Sequence, residues 1–355
     1  MADPAAAPAG ATPAATDLAA ATLAGDRRAL ARLLTRIENG APEAEAALAD
    51  LFAHTGRAHL VGITGPPGTG KSSLVSALAR VYRQRQASVA IVAVDPSSPF
   101  TGGAILGDRI RMRDLAGDPG IFIRSMASRG SLGGLARATA DVVRALDAAG
   151  FDKILIETVG AGQSEVDIAR AALTTVVVEA PGLGDDVQAI KAGLLEVADV
   201  LVVNKADLPG AEAAVRALRA SLDLASPAAR RWAPGDGHHG PPGHAAGTPA
   251  PAGEAPAAGW AVPIVSTVAT EGRGADDLAA ALDQHRAHLI ASGGLAQRER
   301  ERLSHELEAR LRDQLLQDLT RRLGAEALAG AVERLLAREI DPASMARALA
   351  AHLNA

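Results

Sequence analysis

Cysteine is absent from the 355-residue chain, and aromatic residues make up only 2% of it. The absence of cysteine excludes disulfide bonds and thiolate metal sites, and it is typical of proteins of the reducing cytoplasm, where we place this chain. With so few aromatic rings, the core must be built mainly from Leu, Val, Ile and Ala.

Long apolar runs and an excess of basic residues are also missing. No apolar run approaches the roughly 18 residues that a membrane-spanning helix requires, so we expect no membrane insertion. The formal net charge of −5 lacks the basic excess with which a nucleic-acid binder displaces counterions. The composition therefore predicts a soluble globular protein that binds neither membranes nor nucleic acids.

The amino-terminal part of the chain divides into a tail and a helical region. Residues 1–16 are an Ala/Pro tract that can bury little surface, and we predict a disordered tail there. Residues 17–57 are predicted to form an N-terminal helical region. Apolar positions recur on one helical face over residues 26–39, and a second helix is predicted over residues 42–54.

Residues 58–290 alternate short apolar runs with helical segments. Several runs are continuous and β-branched, as at residues 174–178, which suits strands buried on both faces. This alternation predicts an α/β P-loop domain with a mostly parallel sheet flanked by helices. Strands are predicted at residues 60–64, 88–95, 121–125, 153–157, 174–179, 200–204 and 262–266, and helices between them include 72–86, 135–149 and 186–197.

A Pro/Gly-rich insertion interrupts this domain at residues 226–259, which hold seven prolines and seven glycines. A loop of this length and composition inside a compact domain predicts disorder. His238, His239 and His244 lie within it, but no carboxylate or thiol framework accompanies them, so a metal site is not favoured there.

The last region, residues 291–355, is predicted to be helical throughout. Leucine recurs every four residues, at Leu303, Leu307, Leu311, Leu315 and Leu319, with charged residues between. Such a stripe predicts a packing face, either within the protomer or across a dimer.

Residues 65–72 match the motif G-x-x-x-x-G-K-[ST] between a predicted strand and a predicted helix. Glycines let the backbone curl around an anion, and the helix N-terminus adds partial positive charge. Lys71 is expected to reach the β- and γ-phosphates, and the Ser72 hydroxyl to bind Mg²⁺. The predicted phosphate site consists of Gly65, Pro66, Pro67, Gly68, Thr69, Gly70, Lys71, Ser72 and Ser73.

Asn204-Lys205-Ala206-Asp207 follows a predicted strand about 130 residues after the phosphate loop. In such an N-K-x-D motif the Asp207 carboxylate accepts hydrogen bonds from guanine N1–H and the 2-amino group. Adenine lacks this donor pair and would leave the carboxylate unpaired, at a cost of roughly 1–3 kcal/mol. Lys205 is expected to lie along the base plane. The two motifs together predict a Mg²⁺-dependent GTPase that binds GTP and GDP.

Acidic residues at strand ends complete the predicted magnesium site. Asp95 closes one predicted strand and Glu157 closes another, where a carboxylate can hold Mg²⁺ directly or through its water shell. Asp108 lies in a Gly-rich loop that could move with nucleotide state, although a solvated loop acid is the alternative. Gly160 resembles the glycine whose N–H senses the γ-phosphate. Glu157 is the nearest candidate for orienting the attacking water.

Three segments carry a resemblance to a known family: DPSSPFTGGAILGD at residues 95–108, ETVGAGQSE at 157–165 and GDDVQAIKAG at 184–193. In these segments the chain resembles the MeaB/ArgK GTPases, which belong with the signal-recognition-type (SIMIBI) class of P-loop GTPases. The resemblance extends over residues 22–319. It implies that Asp95, Asp108 and Glu157 surround the magnesium and the γ-phosphate.

The resemblance also implies a partner. Members of this family act as GTP-hydrolysing chaperones for adenosylcobalamin-dependent acyl-CoA mutases, typically methylmalonyl-CoA mutase, and they gate cofactor loading and help clear damaged cofactor. A cobalamin adenosyltransferase is a further candidate partner. Members form homodimers through C-terminal helices, which implies a dimerisation region at 291–355. A partner-responsive switch is implied at Asp185, Asp186, Gln188 and Lys191, so that the expected catalytic residues are Lys71, Glu157, Asp108 and Lys191.

The chain departs from the family pattern at two places, and other functions remain open. The final guanine loop, often Ser-Ala, reads Ser266-Thr267-Val268 here, and the insertion at 226–259 is longer than the family predicts. A metallochaperone GTPase is one alternative, although such proteins carry Cys/His motifs that this chain lacks. An ATPase or kinase linked to arginine transport is opposed by the N-K-x-D motif. A nucleotide-binding scaffold without turnover is the third.

Overall fold

The structure is a computed structural model that describes residues 15–96, 112–115, 117–128, 132–158, 171–182, 195–224 and 259–351. The chain divides into two compact units, Met1–Glu299 and Arg300–Ala355. Outside the described residues lie nearly all of the predicted insertion and most of the helix predicted at 186–197. The same holds for Asp108, Gly160 and the implied switch residues Asp185, Asp186, Gln188 and Lys191.

Three helices form the amino-terminal region: α1 (Ala15–Leu23), α2 (Arg27–Glu38) and α3 (Pro42–Phe52). Asp26 caps α2, because its side chain accepts hydrogen bonds from Arg28 N and Ala29 N, and these bonds lower the pKa of its carboxyl group. The two predicted helices are confirmed. No separate helix was predicted at α1, which begins at Ala15 in the segment predicted as a tail and continues into the region predicted to be helical.

A parallel sheet of seven strands forms the centre of the first unit, in the order β3-β2-β4-β1-β5-β6-β7. The predicted α/β fold with a parallel sheet is therefore confirmed. The predicted strand at 262–266 is shorter than expected, because Pro263 has no N–H to donate to the ladder. The strands are β1 (His59–Thr64), β2 (Val89–Pro96), β3 (Ile121–Ser128), β4 (Lys153–Thr158), β5 (Thr174–Glu179), β6 (Val200–Val203) and β7 (Ile264–Ser266).

Helices cover both faces of this sheet. They are α4 (Lys71–Gln84), α5 (Leu132–Ala148), α6 (Ala211–Leu224) and α7 (Ala275–Ala291). One core cluster joins the sheet to α4 and α7, and a second joins it to α2, α3 and α5. Strands β1, β4 and β5 are buried along their whole length. This burial on both faces explains why their sequences are nearly continuous apolar runs.

The carboxyl-terminal part of the chain is helical, in α8 (Gly294–Leu336) and α9 (Pro342–Ala351). The prediction of helix throughout is wrong at two points, because Gly324 leaves the helical region with a φ of 74° and a turn follows α8 before Pro342 opens α9. Three leucines of the predicted stripe are exposed, Leu307 by 67%, Leu311 by 56% and Leu315 by 53%. Of the helices in the described ranges, none has the length and apolar character to cross a membrane.

Candidate nucleotide-binding site

The loop of residues 65–70 connects β1 to α4 and depends on two glycines. Gly65 and Gly70 have positive φ values of 140° and 88°. A Cβ atom on Gly65 would lie 2.1 Å from the carbonyl oxygen of Val178, and one on Gly70 would lie 2.5 Å from Asn204 Nδ2. Any side chain here would collide with β5 or with the guanine motif, so glycine lets the loop pack against both.

Lys71 opens α4 and is held inside this loop. Its Nζ donates hydrogen bonds to the carbonyl oxygens of Gly65 at 2.7 Å and Pro66 at 2.9 Å. The residue is only 5% exposed. Its ammonium charge is therefore fixed within the curled loop, which is where a phosphate-binding lysine is required.

Ser72 and Glu157 meet at the carboxyl edge of the sheet. The Ser72 hydroxyl donates a hydrogen bond of 2.6 Å to Glu157 Oε1, and both residues are buried. The register of the sheet explains this contact, because Glu157 pairs with Ile63 near the end of β1. A hydroxyl and a carboxylate in contact are oxygen ligands of the kind that Mg²⁺ prefers, so the residues present fit that ion.

Asp95 belongs to the same edge of the sheet. In the ladder between β2 and β4, Ala93 pairs with Glu157 and Val94 with Thr158, and Asp95 is the next residue of β2. The backbone thus brings Asp95 to the strand ends that carry Glu157. The side chain of Asp95 and all of Asp108, the other predicted magnesium ligand, lie outside the described residues.

Asn204 joins three loops of the site. Its Nδ2 donates to the carbonyl oxygen of Thr69 at 2.8 Å, and its Oδ1 accepts from Thr267 Oγ1 at 3.0 Å and Ala269 N at 3.1 Å. The phosphate loop, the N-K-x-D motif and the predicted final guanine loop are therefore bonded through one buried amide. The sequence placed Asn204 in the base site, but it gave no sign of this bridging role.

The rest of the guanine motif lies at the surface. Lys205 has a φ of 56°, and Ala206 N donates to the carbonyl oxygen of Thr267 at 3.0 Å, which fixes the turn. Asp207 is exposed in this turn. Beside it is a cavity of about 480 Å³, lined by Ala206, Ala211, Glu212, Val215, Arg216, Ser266, Thr267, Val268 and Arg273.

Glu179 is a residue of this region that the sequence analysis treated only as a strand end. It closes β5, it is 9% exposed, and its Oε1 has no hydrogen-bond partner in the part of the chain that the structure describes. Burial raises the pKa of its carboxyl group, while the Ala180 N–H and the charge of Lys71 lower it. Its place at the end of a continuous β-branched run is visible in the sequence, but its place beside the phosphate loop depends on the pairing of β5 with β1.

The structure thus brings together one part of the predicted site and leaves another part undescribed. Hydrogen bonds join the phosphate loop to Glu157 through Ser72, and to Thr267 through Asn204. Gly160 and the implied switch lie outside the described residues.

Comparison with protein families gives a match over residues 30–323 to the family described as methylmalonyl Co-A mutase-associated GTPase MeaB. The match covers both the phosphate loop and the N-K-x-D motif, and it ends within α8.

Individual relatives agree with this family match. A protein of Pyrococcus abyssi named as a GTPase is 44% identical over 322 residues, which is 91% of each chain. The mitochondrial methylmalonic aciduria type A homolog of Caenorhabditis elegans is 36% identical over 200 residues, covering 52% of this chain and 50% of that protein.

Among solved structures, that of an LAO/AO transport system kinase superposes with a TM-score of 0.68 at 23% identity. The similarity covers 96% of this chain and 98% of that one. At this identity the comparison supports the fold alone.

Proposed function

Because this chain belongs to the family of methylmalonyl-CoA mutase-associated GTPases, we propose that it serves an adenosylcobalamin-dependent acyl-CoA mutase as a chaperone. The chain is a GTPase, and the proposal adds what the hydrolysis is used for: gating cofactor loading and protecting or reactivating the mutase. The observation that carries the proposal is the family match over residues 30–323, which contain the phosphate loop, Glu157 and Asn204. The relative named after methylmalonic aciduria supports it.

Within this function we assign roles to the residues of the site. Lys71 binds the β- and γ-phosphates, and the N–H groups of Gly65 and of residues 68–72 surround them. Ser72 and Glu157 would hold Mg²⁺, with Asp95 and Asp108 as further proposed ligands, and the ion would supply positive charge that neutralises the phosphates. Glu157 is the proposed residue that orients the attacking water. Hydrolysis then depends mainly on positioning and on charge neutralisation, as in other phosphoryl transfers.

The guanine end of the site is proposed to work through residues of three loops. Asp207 reads guanine N1–H and the 2-amino group, and Lys205 covers the base. Asn204 keeps the loops of Thr69 and Thr267 together, so base recognition and phosphate binding share one support. Ser266, Thr267 and Val268 complete the base site, and they also line the cavity beside it.

Regulation by the mutase is proposed to act through Asp185, Asp186, Gln188 and Lys191. A segment that a partner orders can complete a catalytic charge arrangement only in the complex. Intrinsic GTP hydrolysis should therefore be slow, and an adenosylcobalamin-dependent acyl-CoA mutase should accelerate it.

The test is the rate of GTP hydrolysis measured against mutase concentration. Wild-type protein should be stimulated until the rate saturates, and Lys71→Ala should show no turnover with or without mutase. Lys191→Ala should keep the basal rate and lose most of the stimulation. Equal stimulation of wild type and Lys191→Ala would remove Lys191 from the switch. No stimulation by any mutase of this cofactor class would refute the chaperone function.

A further inference from the structure

Two buried histidines lie at the amino ends of the strands, on the side of the sheet away from the phosphate loop. His59 opens β1 and is 0% exposed, and His285 on α7 is 1% exposed. Between them stands Thr174, the first residue of β5. Its Oγ1 lies 2.8 Å from His59 Nε2 and 2.9 Å from His285 Nδ1, so the two imidazoles share one hydroxyl group.

The groups at the two ends of this bridge fix the direction of its hydrogen bonds. Lys153 Nζ lies 3.3 Å from His59 Nδ1, and Asp199 Oδ1 lies 3.3 Å from His285 Nε2. An ammonium group only donates and a carboxylate only accepts. His59 Nδ1 must therefore be the lone-pair nitrogen, and His285 Nε2 must carry the hydrogen. The Thr174 hydroxyl then accepts from His59 Nε2 and donates to His285 Nδ1.

The surroundings of the bridge favour neutral rings. Burial is the largest of the causes that lower the pKa of His59, and it lowers the pKa of His285 to about 4. The permanent cations around the rings outnumber the carboxylates, so a further positive charge is disfavoured. The charged and titratable groups there are Lys153 of β4, Asp283, Arg286 and His288 of α7, Asp199 before β6 and Arg298 of α8.

The start of α8 is bonded to the same cluster. Arg298 donates two hydrogen bonds of 2.7 Å to the Asp199 carboxylate and a third of 2.7 Å to the carbonyl oxygen of Leu173, the residue before Thr174. A protonated His285 would bring a second cation to the carboxylate that Arg298 binds. Of the two cations, Arg298 is the one that can turn to water, because its side chain is 27% exposed and that of His285 only 1%.

We propose that His59, Thr174 and His285 form an acid-sensitive clamp on the start of α8: both imidazoles are neutral with their hydrogen on Nε2, and a proton taken up from solvent by either ring opens the clamp. A proton on His59 would sit on Nδ1 and face the Lys153 ammonium. A proton on His285 would turn Nδ1 into a donor towards Thr174, whose own hydrogen would lose its acceptor. The proton returns to solvent when the pH rises again.

Trp260 is a built-in reporter of this clamp. Its ring centre lies 4.9 Å from that of His285, and its indole N–H donates a hydrogen bond of 2.8 Å to the carbonyl oxygen of Asp199. The sequence has two tryptophans, and Trp232→Phe removes the other one. Since a protonated imidazole quenches a neighbouring indole, the fluorescence of Trp260 in this background should follow the charge of His285.

The first experiment determines the tautomers in the whole chain at about pH 7, by proton–nitrogen correlation NMR with isotope-labelled histidine. Both rings should be neutral, with the hydrogen on Nε2 and a lone pair on Nδ1. Their signals are assigned by their loss in His59→Gln and in His285→Gln. A hydrogen on Nδ1 of either ring, or a charged ring at this pH, would overturn the proposal.

The second experiment follows the clamp in the Trp232→Phe background from about pH 7 to about pH 3.5. Trp260 fluorescence should fall as the clamp opens, and amide hydrogen exchange of residues 294–299 should rise several-fold with it. Thr174→Val removes the hydroxyl that donates to His285, so the midpoint of the fluorescence change should move up by about 0.5–1 pH unit.

Two variants serve as controls for Thr174→Val. Thr174→Ser keeps the hydroxyl and should keep the wild-type midpoint. Thr175→Val makes the same change one residue along β5, where the side chain faces the other side of the sheet, and should also leave the midpoint in place.

Two results of this titration would contradict the clamp. An unchanged midpoint in Thr174→Val would show that the hydroxyl does not hold His285 neutral. Exchange that rises throughout residues 15–299 in the same pH step would show that acid unfolds the unit as a whole. If Thr174→Val does not fold, as judged by its thermal unfolding, the tautomers of the wild type decide. None of these outcomes depends on nucleotide binding or on a mutase partner.

Discussion

Asp207 is positioned by hydrogen bonds of the neighbouring backbone and not by contacts of its own side chain. The turn that presents it is fixed by the bond from Ala206 N to the carbonyl oxygen of Thr267, and Asp207 itself is exposed. Asp207→Asn should therefore keep the fold. It should weaken GTP binding by about 10- to 100-fold, because a hydrogen-bonded charge is lost, and improve binding of xanthosine triphosphate.

Equilibrium binding of the two nucleotides to wild type and variant measures this exchange of preference. Asp223→Asn, an exposed acid on α6, is the matched control and should bind GTP as wild type does. If Asp207→Asn keeps the wild-type preference for GTP over xanthosine triphosphate, another residue recognises guanine.

His285 is a buried histidine at the other edge of the sheet. Its Nδ1 lies 2.9 Å from Thr174 Oγ1, its Nε2 lies 3.3 Å from Asp199, and burial lowers its pKa to about 4. The unfolded imidazole takes up a proton below about pH 6.5 and the folded one does not. Stability contributed by neutral His285 is thus full above that pH and is lost as pH falls toward about 4.

Urea unfolding at about pH 7 and about pH 5 measures this loss. His285 accounts for about 2 kcal/mol of the decrease in the free energy of unfolding between these two pH values. His59, whose pKa is also lowered by burial, adds to this decrease. In His285→Gln the contribution of this histidine is absent, so the free energy of unfolding should depend less steeply on pH. A variant whose stability falls as steeply as that of wild type would contradict this account.

Asp199 connects the starts of several elements. Its carboxylate accepts two hydrogen bonds of 2.7 Å from Arg298 on α8 and one of 2.8 Å from Thr175 N on β5. Its carbonyl oxygen accepts a bond from the Trp260 indole, close to β7. One buried residue therefore ties β5, β6 and the beginning of α8 together.

Removing the partly buried Arg298 from this pair should destabilise the fold, because Asp199 is buried. Arg298→Met leaves the Asp199 carboxylate without its guanidinium and should lower the free energy of unfolding by about 2–4 kcal/mol. Arg216→Met is the control, because Arg216 and Glu212 form an exposed pair at 3.6 Å that should contribute less than about 1 kcal/mol. Equal effects of the two changes, measured by urea unfolding, would count against the role of Asp199.

The elements that the sequence predicted best are those with a strong periodic signal. The strand at 174–179 agrees with β5 at both ends, because a buried β-branched run bounded by turns has one interpretation. Helix α1 was not predicted as a separate helix because its sequence, ATDLAAATL, consists mainly of alanine and threonine and shows little contrast between faces. The break at Gly324 was missed because a single glycine is tolerated within a helix.

The residues of the site were likewise predicted only in part. Residues 65–72 and 204–207 were identified because each motif is contiguous in sequence and carries its own chemistry. The bond from Asn204 to Thr69 joins residues 135 positions apart, and those from Arg298 to Asp199 join residues 99 apart. Such contacts depend on strand order and register, which the sequence does not state. Glu179 escaped notice for the same reason.

At the scale of the whole molecule, the leucine stripe of α8 predicts association of two copies. Leu307, Leu311 and Leu315 are all more than half exposed at a spacing that puts them on one helical face. Burying each such side chain against a second copy would contribute about 1.5–3 kcal/mol. The double variant Leu311→Glu/Leu315→Glu should therefore weaken the homodimer by at least about 100-fold and leave GTP binding intact.

Sedimentation equilibrium of wild type and variant decides this prediction. Gln317→Glu, an exposed polar position on the same helix, is the control and should remain dimeric. A wild-type protein that is monomeric at micromolar concentration, or a double variant that stays dimeric, would show that the stripe does not join two copies.

We propose that GTP hydrolysis by this chain maintains a cobalamin-dependent mutase. A binding assay alone would not separate a chaperone from a passive partner. The discriminating observable is the working lifetime of the mutase, because adenosylcobalamin enzymes lose activity when their cofactor is damaged during turnover.

The most direct measurement follows mutase activity over time with substrate, adenosylcobalamin and MgGTP, in the presence of wild-type chain or of Lys71→Ala. Wild type should prolong mutase activity several-fold with GTP, while Lys71→Ala, or wild type without GTP, should give no such protection. The same rate of activity loss in all of these reactions, across mutases of this cofactor class, would contradict the account.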